Sequence, residues 1–121
     1  MGARLTIGLS LAGASLLLPR AGDAHAFLDH ADPRVGSTVP SSPAAVTLTF
    51  TEGVEPAFSK IEVTDFDGKA VAVGALENPG ETSLRVSIPT LEAGTYRVKW
   101  RVVSVDTHET EGSFTFSIEA P

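Results

Sequence analysis

The chain has 121 residues, 42% hydrophobic and 20% charged, with no cysteine and a formal net charge of −6. That length supports one small globular domain and leaves no room for two of ordinary size. An acidic balance repels phosphate backbones and argues against nucleic acid as a partner, and without cysteine the core must hold the fold with no disulfide framework.

The opening "MGARLTIGLSLAGASLLLPRAGDA" has a basic start at Arg4, an apolar stretch from Leu5 to Leu18, and then small and polar residues. This is the layout of a secretory signal peptide. The stretch is shorter than the roughly 20 apolar residues of a membrane span, and Gly8, Ser10 and Gly13 weaken it further. Two cleavage points compete. A cut within "AHA" after Ala26 leaves Phe27 first, whereas a cut within "GDA" after Ala24 leaves His25 first. The second divides the chain into a signal, residues 1–24, and a mature domain, residues 25–121. Losing Arg4, Arg20 and Asp23 turns nine basic and fifteen acidic residues into seven and fourteen, a net charge of about −7. All three histidines, His25, His30 and His108, stay.

Period-two alternation dominates the mature region. In chain order it predicts a weak strand in "HAFLDHA" (25–31), then strands over 46–51 and 60–65, a weak one over 69–73, and strands over 83–88, 95–103 and 112–118. The turn signals "DPRVG", "VPSSP", "DFDG", "ENPG" and "EAG" separate them. No stretch has helical periodicity. About seven short strands with regular turns predict an all-β, Greek-key, immunoglobulin-like β-sandwich. "LEAGTYRVKW" has the pattern of a tyrosine corner, in which the Tyr96 hydroxyl bonds back to the chain. The alternation also turns Trp100 inward as a core aromatic rather than a ligand-stacking one.

A chain that begins with histidine presents an α-amine and an imidazole that can chelate one metal ion together. The amine titrates near 8 and the imidazole near 6.5, so both lose protons at modest cost around neutral pH. In "SVDTHETEG", Asp106 and His108 are two apart, which on an extended segment turns both to one side. A sandwich brings its first strand near the loops at one end, so His25 can join them. Nitrogen and carboxylate donors in a tetragonal arrangement favour Cu(II), with Zn(II) as the other candidate.

Three segments, "HAFLDHADPRVGSTV", "LTFTEGVEPAFSKIEV" and "AGTYRVKWRVVSVDTHETEGSFTF", together resemble the CopC family of periplasmic copper-resistance proteins. The resemblance implies a small exported β-sandwich that binds one Cu(II) through the amine and imidazole of its first residue, His25, with Asp106 and His108. It favours cleavage after Ala24. It also implies a monomeric periplasmic protein for copper homeostasis, with an inner-membrane transport protein of the CopD type as partner. Some relatives carry a methionine-rich Cu(I) segment, but Met1 is the only methionine here, so soft ligands are missing.

Other residues have plainer expectations. His30 reads as a solvated surface histidine. Glu52, in "FTEGVEP", is a loop carboxylate or an acceptor that orients an imidazole. Glu109 and Glu111 read as negative surface, and Thr107 as a turn residue. Two competing functions are a copper monooxygenase with a histidine brace and a metal-free adhesion module. The first needs a flat aromatic face, whereas Trp100 and Tyr96 are assigned to the core, so no catalytic activity is expected.

Overall fold

The computed structural model describes residues 26–121, so the segment read as a signal and His25 lie outside it. Among the described residues, eight strands form two four-stranded sheets. The first sheet contains β1 (Leu28–Asp32), β3 (Ala45–Phe50), β5 (Glu77–Gly80) and β6 (Ser83–Ser87), in the order β1-β3-β6-β5, all antiparallel. The second contains β2 (Thr38–Val39), β4 (Lys60–Asp65), β7 (Gly94–Val103) and β8 (Glu109–Ile118), in the order β2-β8-β7-β4. β2 runs parallel to β8, and the other pairs are antiparallel. A 3-10 turn at Pro56–Phe58 is the one helical element among the described residues. No helix among them is long and apolar enough to cross a membrane.

The alternation read from the sequence decides which face of each strand is buried. Val46, Leu48 and Phe50 of β3 and Leu84 and Val86 of β6 face Ile61 and Val63 of β4, Val98 and Val102 of β7, and Phe114, Phe116 and Ile118 of β8. Each side chain fully removed from water contributes roughly 1.5–3 kcal/mol, which is how a chain without disulfides holds two sheets together. The tyrosine corner forms as expected. Tyr96 donates its hydroxyl to the Glu92 carbonyl at 2.8 Å, and its ring stacks on Phe116 with centroids 5.8 Å apart. Gly94, at φ +147°, makes the entry turn that an L side chain would resist.

Besides β2, a two-residue strand where the sequence predicts none, two segments differ from expectation. "KAVAV" is no strand: only Ala70 bridges to Thr64, and Val71 donates its N–H to the Val63 carbonyl. Val71 and Val73 are only half-buried against the core, so alternation marks packing here without a ladder. "ENPG" carries a turn signal, but Glu77–Gly80 is the border strand β5, where Pro79 costs no ladder bond. Asn78 fixes it by donating to the Gly80 and Ser83 carbonyls at 2.7 and 2.8 Å.

Trp100 faces inward as predicted but is only half-buried. It stacks on Phe50, with centroids 6.1 Å apart and planes 22° apart, and covers its cross-strand partner Gly112. Trp100 also borders a depression on the outer face of the second sheet, lined by Lys60, Glu62, Lys99, Arg101 and Glu111. There the Lys60 ammonium, 3.0 Å from Glu62, holds that carboxyl below its usual range.

Candidate metal centre

Three segments meet at one end of the sandwich. The first is the start of the described chain. Phe27 donates its N–H to the Thr51 hydroxyl at 3.0 Å, Thr51 returns its N–H to the Phe27 carbonyl at 2.8 Å, and the Thr110 hydroxyl donates to the Ala26 carbonyl at 2.7 Å. Ala26 is fully buried by this clamp between the end of β3 and the start of β8. The second is the loop after β3, where Val54 bridges to Ser104 and the Gly53 carbonyl accepts the Val105 N–H at 3.0 Å. The third is the β7–β8 connection.

That connection is a tight hairpin turn. The Ser104 N–H bonds to the His108 carbonyl at 2.8 Å, and the Thr107 N–H closes back onto the Ser104 carbonyl at 2.8 Å. Thr107 has φ +67°, a left-handed conformation that is unusual for a β-branched residue. Turns of this kind usually end on glycine. Bending here, not the extended geometry expected from the sequence, brings Asp106 and His108 onto one side.

His108 Nδ1 stands 3.9 Å from Asp106 Oδ1, and both side chains are about half exposed, at 50% and 48%. That separation is too long for a hydrogen bond. Ser104, just before them, is wholly buried. Its hydroxyl lies 2.6 Å from Asp106 Oδ1 and 3.2 Å from the His108 N–H. Nothing in composition or motif singled Ser104 out; the sequence signal was its place two residues before the first proposed donor.

The other sequence candidates separate. His25 lies outside the described residues. His30 is on the exposed side of β1 with Nδ1 2.9 Å from Asp29 Oδ2, a surface histidine as expected. Glu52 is half-buried in the loop that flanks the turn. Glu109 pairs with Arg101 at 2.6 Å, so its charge is matched rather than presented as bare negative surface. Glu111 stays exposed, opposite Arg101 across the β7–β8 pair. Thr107 donates its hydroxyl to the Asp106 carbonyl, consistent with a turn role. Among the described residues no three His, Asp or Glu side chains group closely enough to hold a metal ion. Asp106 and His108 thus offer one oxygen-bearing and one nitrogen-bearing donor, and a complete site needs more.

Comparison with known proteins identifies the family. Residues 28–119 match the CopC domain family. Protein YobA of Escherichia coli K12 is 36% identical over 118 residues, covering 95% of this chain and 94% of that one. Copper resistance protein C of Xanthomonas campestris pv. juglandis is 36% identical over 121 residues, covering 93% and 90%. The crystal structure of CopC from Methylosinus trichosporium OB3b superposes with a TM-score of 0.75 at 38% identity, covering 79% of this chain and 95% of that one. With its sandwich and nearly its whole length matched, this chain belongs to the CopC family.

Proposed function

We propose that this protein binds one copper ion as Cu(II), through the α-amine and imidazole of His25 together with Asp106 and His108. It acts after export to the periplasm and cleavage behind Ala24. The ion is cargo, held for copper homeostasis and resistance and passed to an inner-membrane transport protein of the CopD type. Relatives named for copper resistance support the copper reading. A binding role without catalysis fits those names.

The observation that carries the reading is the Thr110–Ala26 hydrogen bond. It fastens the residue next to His25 onto the strand that begins one residue after His108. Neighbouring Cα atoms are about 3.8 Å apart, so an N-terminal His25 starts within reach of the turn. An amine, two imidazoles and a carboxylate make a hard-to-borderline donor set, which suits Cu(II). Because the described residues contain neither methionine nor cysteine, reduction to Cu(I) would weaken the grip.

The test starts with the intact mass of the secreted protein, which identifies its first residue. Titration with Cu(II), followed by calorimetry and EPR, is expected to show one equivalent and nitrogen hyperfine structure. A His108→Ala variant and a chain beginning at Phe27 should each lose most of the affinity. Wild-type affinity in either one, or an uncut leader on active protein, overturns the ligand set.

A further inference from the structure

We infer that Ser104 is the positioning residue of this centre, holding the Asp106 carboxylate in the orientation that copper binding needs. The inference rests on the copper reading above and deepens it. Ser104 is the one buried polar residue among the described positions, and it is fully shielded from water. A hydroxyl in such a place needs partners, because an unsatisfied polar group there is costly. Both of its partners belong to the proposed ligands.

The hydrogen-bond inventory fixes the direction. Ser104 has one hydroxyl proton and two acceptors within range, Asp106 Oδ1 at 2.6 Å and the His108 carbonyl at 3.3 Å. That carbonyl already takes the Ser104 N–H at 2.8 Å, so the proton goes to Asp106. A distance of 2.6 Å is typical of a hydroxyl bonded to an ionised carboxylate. The hydroxyl oxygen in turn accepts the His108 N–H at 3.2 Å. One buried oxygen thus pins the side chain of one proposed ligand and the backbone of the other.

The chemical consequence is selective. With Oδ1 anchored from behind, the carboxylate cannot spin about its Cβ–Cγ bond. Its second oxygen then keeps one direction relative to the imidazole. A carboxylate on an exposed turn would otherwise sample several rotamers, and an ion would have to select among them. Hydrogen bonds that orient metal ligands from behind typically change affinity by roughly 10–100-fold when removed.

The experiment uses the secreted protein and three variants, Ser104→Ala, Asp106→Ala and the double variant, with Cu(II) as the probe. Wild type is expected to bind. Ser104→Ala should weaken binding by roughly 10–100-fold and shift the Cu(II) EPR parameters. The same change in the Asp106→Ala background should cost clearly less, because the carboxylate it orients is gone and only its hold on the His108 N–H remains. Ser104→Thr, which keeps the hydroxyl, should restore the wild-type spectrum. Unchanged affinity in Ser104→Ala, or an equal loss in both backgrounds, overturns the inference while leaving the copper reading intact. A wild type that takes up no Cu(II) overturns both. Should Ser104→Ala fail to fold, the copper-free wild type decides: a slowly exchanging Ser104 hydroxyl proton close to Asp106 by NMR supports the inference, and fast exchange refutes it.

Discussion

Thr110 bonds Ala26 across 84 positions of sequence, hydroxyl to carbonyl, at 2.7 Å. The contact joins the first described residue to the strand that follows the turn. Thr110→Val keeps the shape but leaves the buried Ala26 carbonyl unsatisfied, at a cost of about 1–3 kcal/mol. Urea denaturation of the copper-free protein measures that loss. On the copper reading, Cu(II) affinity also falls, because the terminus no longer starts from a fixed point.

Thr107 carries backbone strain between the two proposed ligands, at φ +67°. The left-handed conformation costs an L residue about 1–2 kcal/mol, partly offset in glycine by its larger chain entropy. Thr107→Gly is therefore expected to stabilise the copper-free protein by about 0.5–1 kcal/mol. A rise of several degrees in Tm checks it; a fall means the turn is held by side-chain contacts instead.

Gly112 is required by the ring above it. A Cβ there would come 1.6 Å from the Trp100 ring, too close for any small adjustment. Gly112→Ala should push the indole off Phe50 and cost about 1–3 kcal/mol, as overpacking does. Loss of the near-UV tryptophan signal together with a lower denaturation midpoint is the expected result.

Tyr96 gives a pH dependence with a definite sign. Burial above all, then the negative charges of Glu92 and Asp65, raises its phenol above the ordinary value. The folded state therefore favours the neutral phenol. Its contribution is complete below about pH 10, the unperturbed value, and is lost as pH rises through the folded value. Tyr96→Phe should lose the bond to Glu92, about 0.5–1.5 kcal/mol, and should not show this alkaline loss. Parallel urea titrations at pH 9 and 11 separate the two effects.

Much of the fold was legible because one face of most strands is buried, which writes the register into the sequence. The strand Lys60–Asp65 coincides with the reading, and Tyr96 forms its corner. β8 starts at Glu109 rather than 112; Glu109 to Glu111 are all polar, so no apolar alternation marks them in the sequence although their exposure alternates in the strand. Borders were misread for the same reason: Glu77–Gly80 is exposed throughout, so only its turn-forming composition was visible. In the candidate site, Asp106 and His108 were legible as a pair, although a bend through Thr107 brings them together. Ser104 was not, since a small serine between valines has no pattern until burial shows what its oxygen touches.

The four sheet borders have a shared consequence. β1 shifts register between Leu28 and His30 and exposes Asp29 and His30, β5 shifts register and contains Pro79, β2 is two residues long, and β4 is flanked by the Ala70–Val71 segment. Each of these is a known way to deny a neighbouring molecule a straight run of main-chain donors and acceptors. A disulfide-free sandwich that opens briefly has no covalent staple to limit the damage, so its safeguard against templated fibril growth lies in the shape of these margins.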